Sequence, residues 1–264
     1  MLMTESSAGA LLREWRLRRR MSQLDLASEA EISQRHLSFL ESGRAKPSRD
    51  MVLHLAAQLD IPLRERNHLL LTAGFAPHYG ERKLDDPSLS AAKKAIRLVL
   101  KGHEPNPAIA LDRHWNMVDA NAGIAPLLDD IPDPTLLEPP CNVLRLSLHP
   151  QGLAPRIVNL FEWRSHLIER LTRQLDATGD PVLAELEREL LTYPSGPRTQ
   201  PRRDTGHTAI SHPLVLRVGD EVLTFISTTT IFGTPLDVTL SELAIESFFP
   251  ADETTADTLR RIAQ

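Results

Sequence analysis

Residues 22 to 48 read SQLDLASEAEISQRHLSFLESGRAKPS, and their reading decides the N-terminal fold. Ser22 is placed to cap a helix, with Asp25 three residues on to return the bond. Leu24, Leu26, Ala27 and Ala30 give that helix an apolar side. A turn is expected at Glu31 and Ile32. Ser33 then caps a further helix reaching Ser42, and Gly43 ends it with a residue that tolerates left-handed backbone. Ile32, Leu37 and Leu40 face inward, which leaves Gln34, Arg35, His36, Ser38 and Phe39 on the other faces.

The flanks extend this pattern. Upstream, Leu11, Leu12 and Trp15 set one face of a helix from Ala10 to Arg20, followed by Met21. Its opposite face carries Arg13, Arg16, Arg18, Arg19 and Arg20. Downstream, Ser48 caps a helix with Met51, Val52, Leu55, Ala56 and Leu59 at helical spacing. Pro62 opens a last helix, where proline in the first turn removes no intrahelical bond, and Gly74 closes it. Five short helices over residues 9–77, with a short turn between the second and third, describe a helix-turn-helix domain.

In such a domain the third helix enters the major groove and its first turn meets base edges. Gln34 suits adenine and Arg35 suits guanine, each through paired hydrogen bonds. Gln23 at the start of helix two suits a phosphate. Arg44, Lys46 and Arg49 follow the third helix and suit the DNA backbone. Charge agrees with this division. Residues 9–49 hold nine Lys/Arg against five Asp/Glu, or +4, whereas residues 79–264 hold 19 against 26, or −7. A basic head on an acidic body is expected when only the head meets phosphate.

The motif Ser22-Gln23-x-x-Leu26-Ala27, Ile32-Ser33, Leu37-Ser38-x-Leu40-Glu41-x-Gly43-Arg44, Pro47-Ser48 resembles the Cro/C1-type (XRE family) helix-turn-helix regulators. The resemblance makes Gln23 a phosphate clamp and Gln34 and Arg35 base readers, with Ser33 at the helix cap and His36 and Phe39 at the groove. It makes Arg16 and Glu41 a buried ion pair bracing the domain. It also places Glu31 where these proteins often carry glycine. A side chain in left-handed backbone costs on the order of 1 kcal/mol there.

Residues 78–107 read as a linker. It holds a helix at 88–101 with Leu89, Ala92, Ile96, Val99 and Leu100 on one stripe, and Pro105 and Pro107 stop its continuation. From Ala108 the period changes. A hairpin is expected from Ala108–Leu111 and Trp115–Ala120, then helices at 122–128, 156–176 and 181–192. Residues 142–148 fit helix or strand. A Pro/Gly/Arg loop spans 194–206. Strands are expected at 213–218, 222–232 and 242–249, and a closing helix at 252–263. Two strands, helices and then three strands give an α+β body, 108–264, with an antiparallel sheet drawing its edges from both ends of the segment.

The run Trp115-Asn116-Met117-Val118-Asp119-Ala120-Asn121 resembles the opening hairpin of PAS-type sensor domains. Together with Leu63-Arg64-x-Arg66-Asn67-x-Leu69-Leu70-Leu71-x-Ala73-Gly74-Phe75-Ala76-Pro77, Leu111-Asp112-x-x-Trp115 and His212-Pro213, it makes the chain similar to MmyB-like regulators. That resemblance implies a ligand-responsive transcriptional regulator, double-stranded DNA as a partner, and an apolar small molecule, such as a fatty acid, in the body. Trp115, Phe161, Trp163, Leu167, Phe225 and Phe232 are the candidate wall residues. A homodimer is expected, its heads meeting half-sites roughly 34 Å apart. Two other readings stay open: an antitoxin-like module whose body covers a protein partner, and an enzyme with an autoregulatory head.

Other classes find little support. Cys141 is the single cysteine, so no internal disulfide or multi-cysteine metal site is possible. The ten histidines form no His-x-x-x-His pattern, and no cofactor is expected. Ser165, His166, Ser211, His212 and Asp237 lack the Gly-x-Ser-x-Gly context of a hydrolase, so no enzyme activity is expected. There is no run of about 18 apolar residues to span a membrane and no apolar signal-peptide core. A cytoplasmic protein is the expectation.

Overall fold

The computed structural model describes residues 7–84, 86–197, 212–232 and 237–263. The chain forms two compact units. One is built on residues up to Lys83 together with 176–178 and 234–241, and the other on the rest.

The first unit opens with α1 (Ala8–Arg18), α2 (Gln23–Glu29), α3 (Gln34–Glu41), α4 (Arg49–Gln58) and α5 (Leu63–Thr72). Serine begins the first four. Ser22 and Asp25 close a reciprocal capping box, with the Ser22 N–H donating to Asp25 Oδ2 at 2.8 Å. The hydroxyls of Ser7, Ser33 and Ser48 each accept from the backbone N–H three residues on. Each cap satisfies a donor that the helix itself leaves open, worth about 1 kcal/mol. Leu12, Leu26, Leu37, Leu40, Leu55 and Leu70 are fully buried between the helices. At Gly9 a Cβ would lie 2.1 Å from the Leu40 carbonyl oxygen, so only glycine permits this approach of α1 to α3. Glu31 takes φ of 51° in the turn between α2 and α3.

In this unit one core expectation fails. Leu24 is 61% exposed. It occupies the first turn of α2, and helical side chains lean toward the N-terminus, so Leu24 leans off the helix end. Arg16, grouped with the exposed arginines by spacing, is 6% exposed.

In the second unit α6 (Ser90–Gly102) follows a short 3₁₀ turn at Pro87–Leu89. Ile96 and Leu100 are its buried residues, and it packs on β1 (Ala108–Leu111). Asn121 ties these pieces together. Its amide donates to the carbonyls of Leu100 and Asn106 at 3.0 and 2.8 Å, and its oxygen accepts from the Ala108 N–H. β2 (Met117–Ala120) returns antiparallel to β1, with a register shift at Ala110/Leu111 and Trp115 at φ of 67° in the connection.

Next come α7 (Ala125–Leu128), α8 (Val143–Leu148), α9 (Leu160–Thr178) and α10 (Pro181–Leu191). The ambiguous 142–148 stretch is helical because Asn142 caps it, accepting from the Arg145 N–H. β3 (Leu214–Val218), β4 (Glu221–Ile231) and β5 (Ala244–Pro250) complete the sheet, and α12 (Glu253–Ile262) closes the chain after the single turn α11 (Val238–Ser241) of the first unit. The sheet is antiparallel with order β2-β1-β5-β4-β3. The last strand therefore lies beside the first of the segment, with edges drawn from both ends. Leu144, Leu148, Trp163, Leu171, Leu190 and Phe225 are among the buried residues packed between helices and sheet. Most of the expected 194–206 loop lies outside the described residues.

Candidate nucleic-acid interface and ligand cavity

The first turn of α3 presents Ser33, Gln34, Arg35 and His36 to solvent. Leu37, Leu40 and Glu41 on the same helix are buried, so the helix is anchored on one side and free on the other. Phe39 is half-buried one turn further along. The Arg35 guanidinium lies over its ring at 5.4 Å from the centroid, and the Arg44 guanidinium at 6.0 Å. Arg44 and Lys46 are exposed in the segment after α3. Gly43, at φ of 72°, allows the chain to reverse there.

A buried network holds this surface from below. Arg16 Nε and Nη2 donate to the two Glu41 oxygens at 2.7 and 2.9 Å, and Nη1 donates to the Met21 carbonyl at 2.8 Å. Gln23 Nε2 adds a bond to Glu41 Oε2 at 2.8 Å. Half-buried Gln23 is thus tied to the brace in the free chain. Burial pushes the Glu41 carboxyl up, but the bonds from Arg16 and Gln23 outweigh it and hold the group below the usual carboxylate range. The same contact with Glu41 raises Arg16. The pair ties α1 to α3, so the helix carrying Gln34 and Arg35 has a fixed origin.

An apolar cavity of about 90 Å³ lies between the sheet and the helices of the body. Trp115, Trp163 and Leu167 line it, three of the six residues picked from sequence. Phe161 and Phe232 are half-buried and Phe225 is fully buried, and none of the three is in its wall. The wall also takes Ile109 and Leu111 from β1, Leu144 from α8, Leu214 and Leu216 from β3, and Phe248 from β5. Trp163 Nε1 donates to Ser147 Oγ at 3.0 Å, and Trp115 Nε1 donates to Gln174 Oε1 at 2.8 Å.

Glu246 is a charged exception in this wall, 3% exposed. Arg170 from α9 pairs with both its oxygens at 2.7 and 3.0 Å, and the same guanidinium stacks over Trp115 at 4.8 Å. Leu111, Trp115 and Glu246 also line a second, polar groove of about 500 Å³ that includes Arg113, His166 and Arg173. Burial and the neighbouring Arg170 hold the His166 imidazole below its ordinary pKa.

An anchored helix with a polar, exposed first turn, joined to a sheet-and-helix body with an internal cavity, defines a DNA-binding transcription regulator with a ligand-binding domain. Comparison with known proteins agrees. Residues 92–262 match the family described as MmyB-like transcription regulator ligand binding domain, and residues 12–66 match a helix-turn-helix family. The first match covers well over half of the 264 residues, and the chain belongs to the MmyB-like transcription regulators. Among solved structures, the chain is similar to the clp gene regulator ClgR from Corynebacterium glutamicum. That likeness has 23% identity and a TM-score of 0.24, and covers 39% of this chain and 97% of the other. No curated protein matches. Among the described residues, no helix is long and apolar enough to cross a membrane.

Proposed function

We propose that this chain is a sequence-specific cytoplasmic regulator that reads DNA through Gln34 and Arg35 and is controlled by a small apolar ligand in the cavity beside Trp115. The observation that supports it most directly is the exposed first turn of α3 above the Arg16–Glu41 brace. Ser33 and His36 flank the base readers, while Gln23, Arg44 and Lys46 meet phosphates. A phosphate competes with Glu41 for the Gln23 amide, so Gln23 exchanges one anionic partner for another on binding. The working form is a homodimer, since two heads double the site read.

The cavity supports an apolar ligand by its walls and limits it by its size. At about 90 Å³ it is smaller than the roughly 150 Å³ cavity that admits benzene. An acyl chain therefore enters only as the walls move apart. Such a ligand has different affinity for closed and open bodies, and that difference is what allows it to shift a conformational equilibrium.

Selection of binding sites from a randomised duplex pool tests the DNA reading. The selected consensus should lose discrimination at one position when Arg35 is replaced by alanine. Unchanged affinity and unchanged preference would sink the assignment of α3. Native mass spectrometry of the purified chain, followed by thermal shifts with fatty acids of graded length, tests the ligand reading. A body that carries nothing and is stabilised by none of them would overturn it.

A further inference from the structure

We infer that Phe39 is the positioning residue of the DNA-reading surface, ordering a base-reading and a phosphate-contacting arginine on one ring before DNA arrives. This rests on the assignment of α3 as the recognition helix. Three observations carry it. Phe39 is half-buried on a helix whose first-turn residues Gln34, Arg35 and His36 are exposed. Its ring has the Arg35 guanidinium over it at 5.4 Å and the Arg44 guanidinium at 6.0 Å. Its backbone carbonyl accepts from the Ala45 N–H at 3.1 Å, which fixes the segment bearing Arg44 against the end of α3.

The chemistry follows from what each arginine needs. Arg35, one turn before Phe39, must present a planar fork to a guanine edge. Arg44 must hold a charge beside a phosphate. Both are long side chains with considerable rotamer freedom, and immobilising such side chains weakens binding. A guanidinium over an aromatic face is attracted by the ring quadrupole, and arginine keeps its in-plane donors free while stacked. Phe39 therefore restricts both cations without using the groups that contact DNA. It touches neither base nor phosphate in this role.

The test uses the full chain and the consensus duplex that the unsubstituted chain selects from a randomised pool. Phe39→Leu keeps an apolar side chain and removes the π face, whereas Phe39→Tyr keeps both. Phe39→Leu should weaken binding about tenfold, the combined worth of two exposed cation–π contacts, and flatten the base preference at the position set by Arg35. Phe39→Tyr should restore both, with thermal unfolding of the two variants within a few degrees of each other. In the double variant Phe39→Leu/Arg35→Ala, the losses should be less than multiplicative. Wild-type affinity and preference in Phe39→Leu, or a Phe39→Tyr variant as impaired as the leucine one, overturns the proposal. Arg35→Ala and Arg44→Ala tested alone separate the two levels. If these singles impair binding while Phe39→Leu does not, only the positioning role fails. If neither single has any effect, the recognition surface itself is misassigned and the positioning role falls with it.

Discussion

Replacing Arg16 with methionine should destabilise the head of this protein while leaving the stability of its body unchanged. The Arg16 side chain is 7% exposed and the Glu41 side chain 2%. The substitution removes two bonds to the carboxylate and one to the Met21 carbonyl. Glu41 would keep only the Gln23 amide. Breaking a buried ion pair from one side costs about 3–5 kcal/mol, because the remaining charge stays desolvated. For a head of this size, each kcal/mol moves the midpoint by about 4–8 °C, so the shift should exceed about 12 °C. Arg16→Met/Glu41→Leu removes both charges and should recover most of the loss, since apolar replacement of a buried pair is often neutral or stabilising. Hydrogen exchange of peptides spanning α1 to α3, followed through guanidinium denaturation of the full chain, reads the head separately from the body. A single-variant cost below about 1 kcal/mol, or additive costs in the cycle, would refute the brace, because contacting charges should couple by about 0.5–3 kcal/mol.

Three further outcomes follow from the same geometry. Glu41 is held below its ordinary pKa, so its stabilising contribution is full above about pH 4.3 and is lost as pH falls through the depressed folded value; acid titration of the head should be steeper in the unsubstituted chain than in Glu41→Gln, and equal slopes would contradict this. Arg44→Ala should weaken all duplex sequences alike and reduce the salt slope of log K by about 0.9, whereas Arg35→Ala should lose about 1–3 kcal/mol of discrimination at one base pair, both read by anisotropy titrations at several salt concentrations. Leu144→Ala, at a 1% exposed cavity wall, should destabilise the body by about 2–5 kcal/mol in thermal denaturation and increase the uptake of apolar ligands.

The head was legible in sequence because its signals are local. Serine caps, a capping box three residues wide and terminating glycines sit within a few positions of what they control. Leu24 escaped because side-chain direction at a helix start decided its exposure, and apolar identity did not. The body was legible as element types but less so as a cavity. Trp115, Trp163 and Leu167 stood out as large residues near the expected hairpin and long helix. Ile109, Leu111, Leu216 and Phe248 reach the same space only because β5 pairs with β1 and β4 pairs with β5. No local period encodes that order. Phe225 lies in the core away from the cavity wall, and Phe232 falls after the end of β4 at Ile231. The Arg170–Glu246 pair joins residues 76 positions apart, and their sequence neighbourhoods carry no sign of it.

That pair bears on how the body can respond to anything it binds. Glu246 lines the small apolar cavity and the larger polar groove alike, with Trp115 and Leu111 shared between them. Arg170 is bonded to Glu246 and Thr229 and stacked on Trp115. The partition between cavity and groove is therefore fully satisfied in its closed form. Opening it for a ligand larger than about 90 Å³ must separate a buried carboxylate from its cation or carry both aside together. Separation leaves an unpaired buried charge and costs several kcal/mol; moving the pair as one unit, with Trp115 still stacked, keeps every bond. Arg170 lies on α9, Trp115 in the β1–β2 connection and Glu246 on β5 beside β1. The cheaper route therefore keeps α9 and this part of the sheet together and leaves the opening to the other walls, such as α8 with Leu144. The ion pair thus separates a costly opening from a cheap one, because only a route that leaves Arg170 on Glu246 avoids an unpaired buried charge.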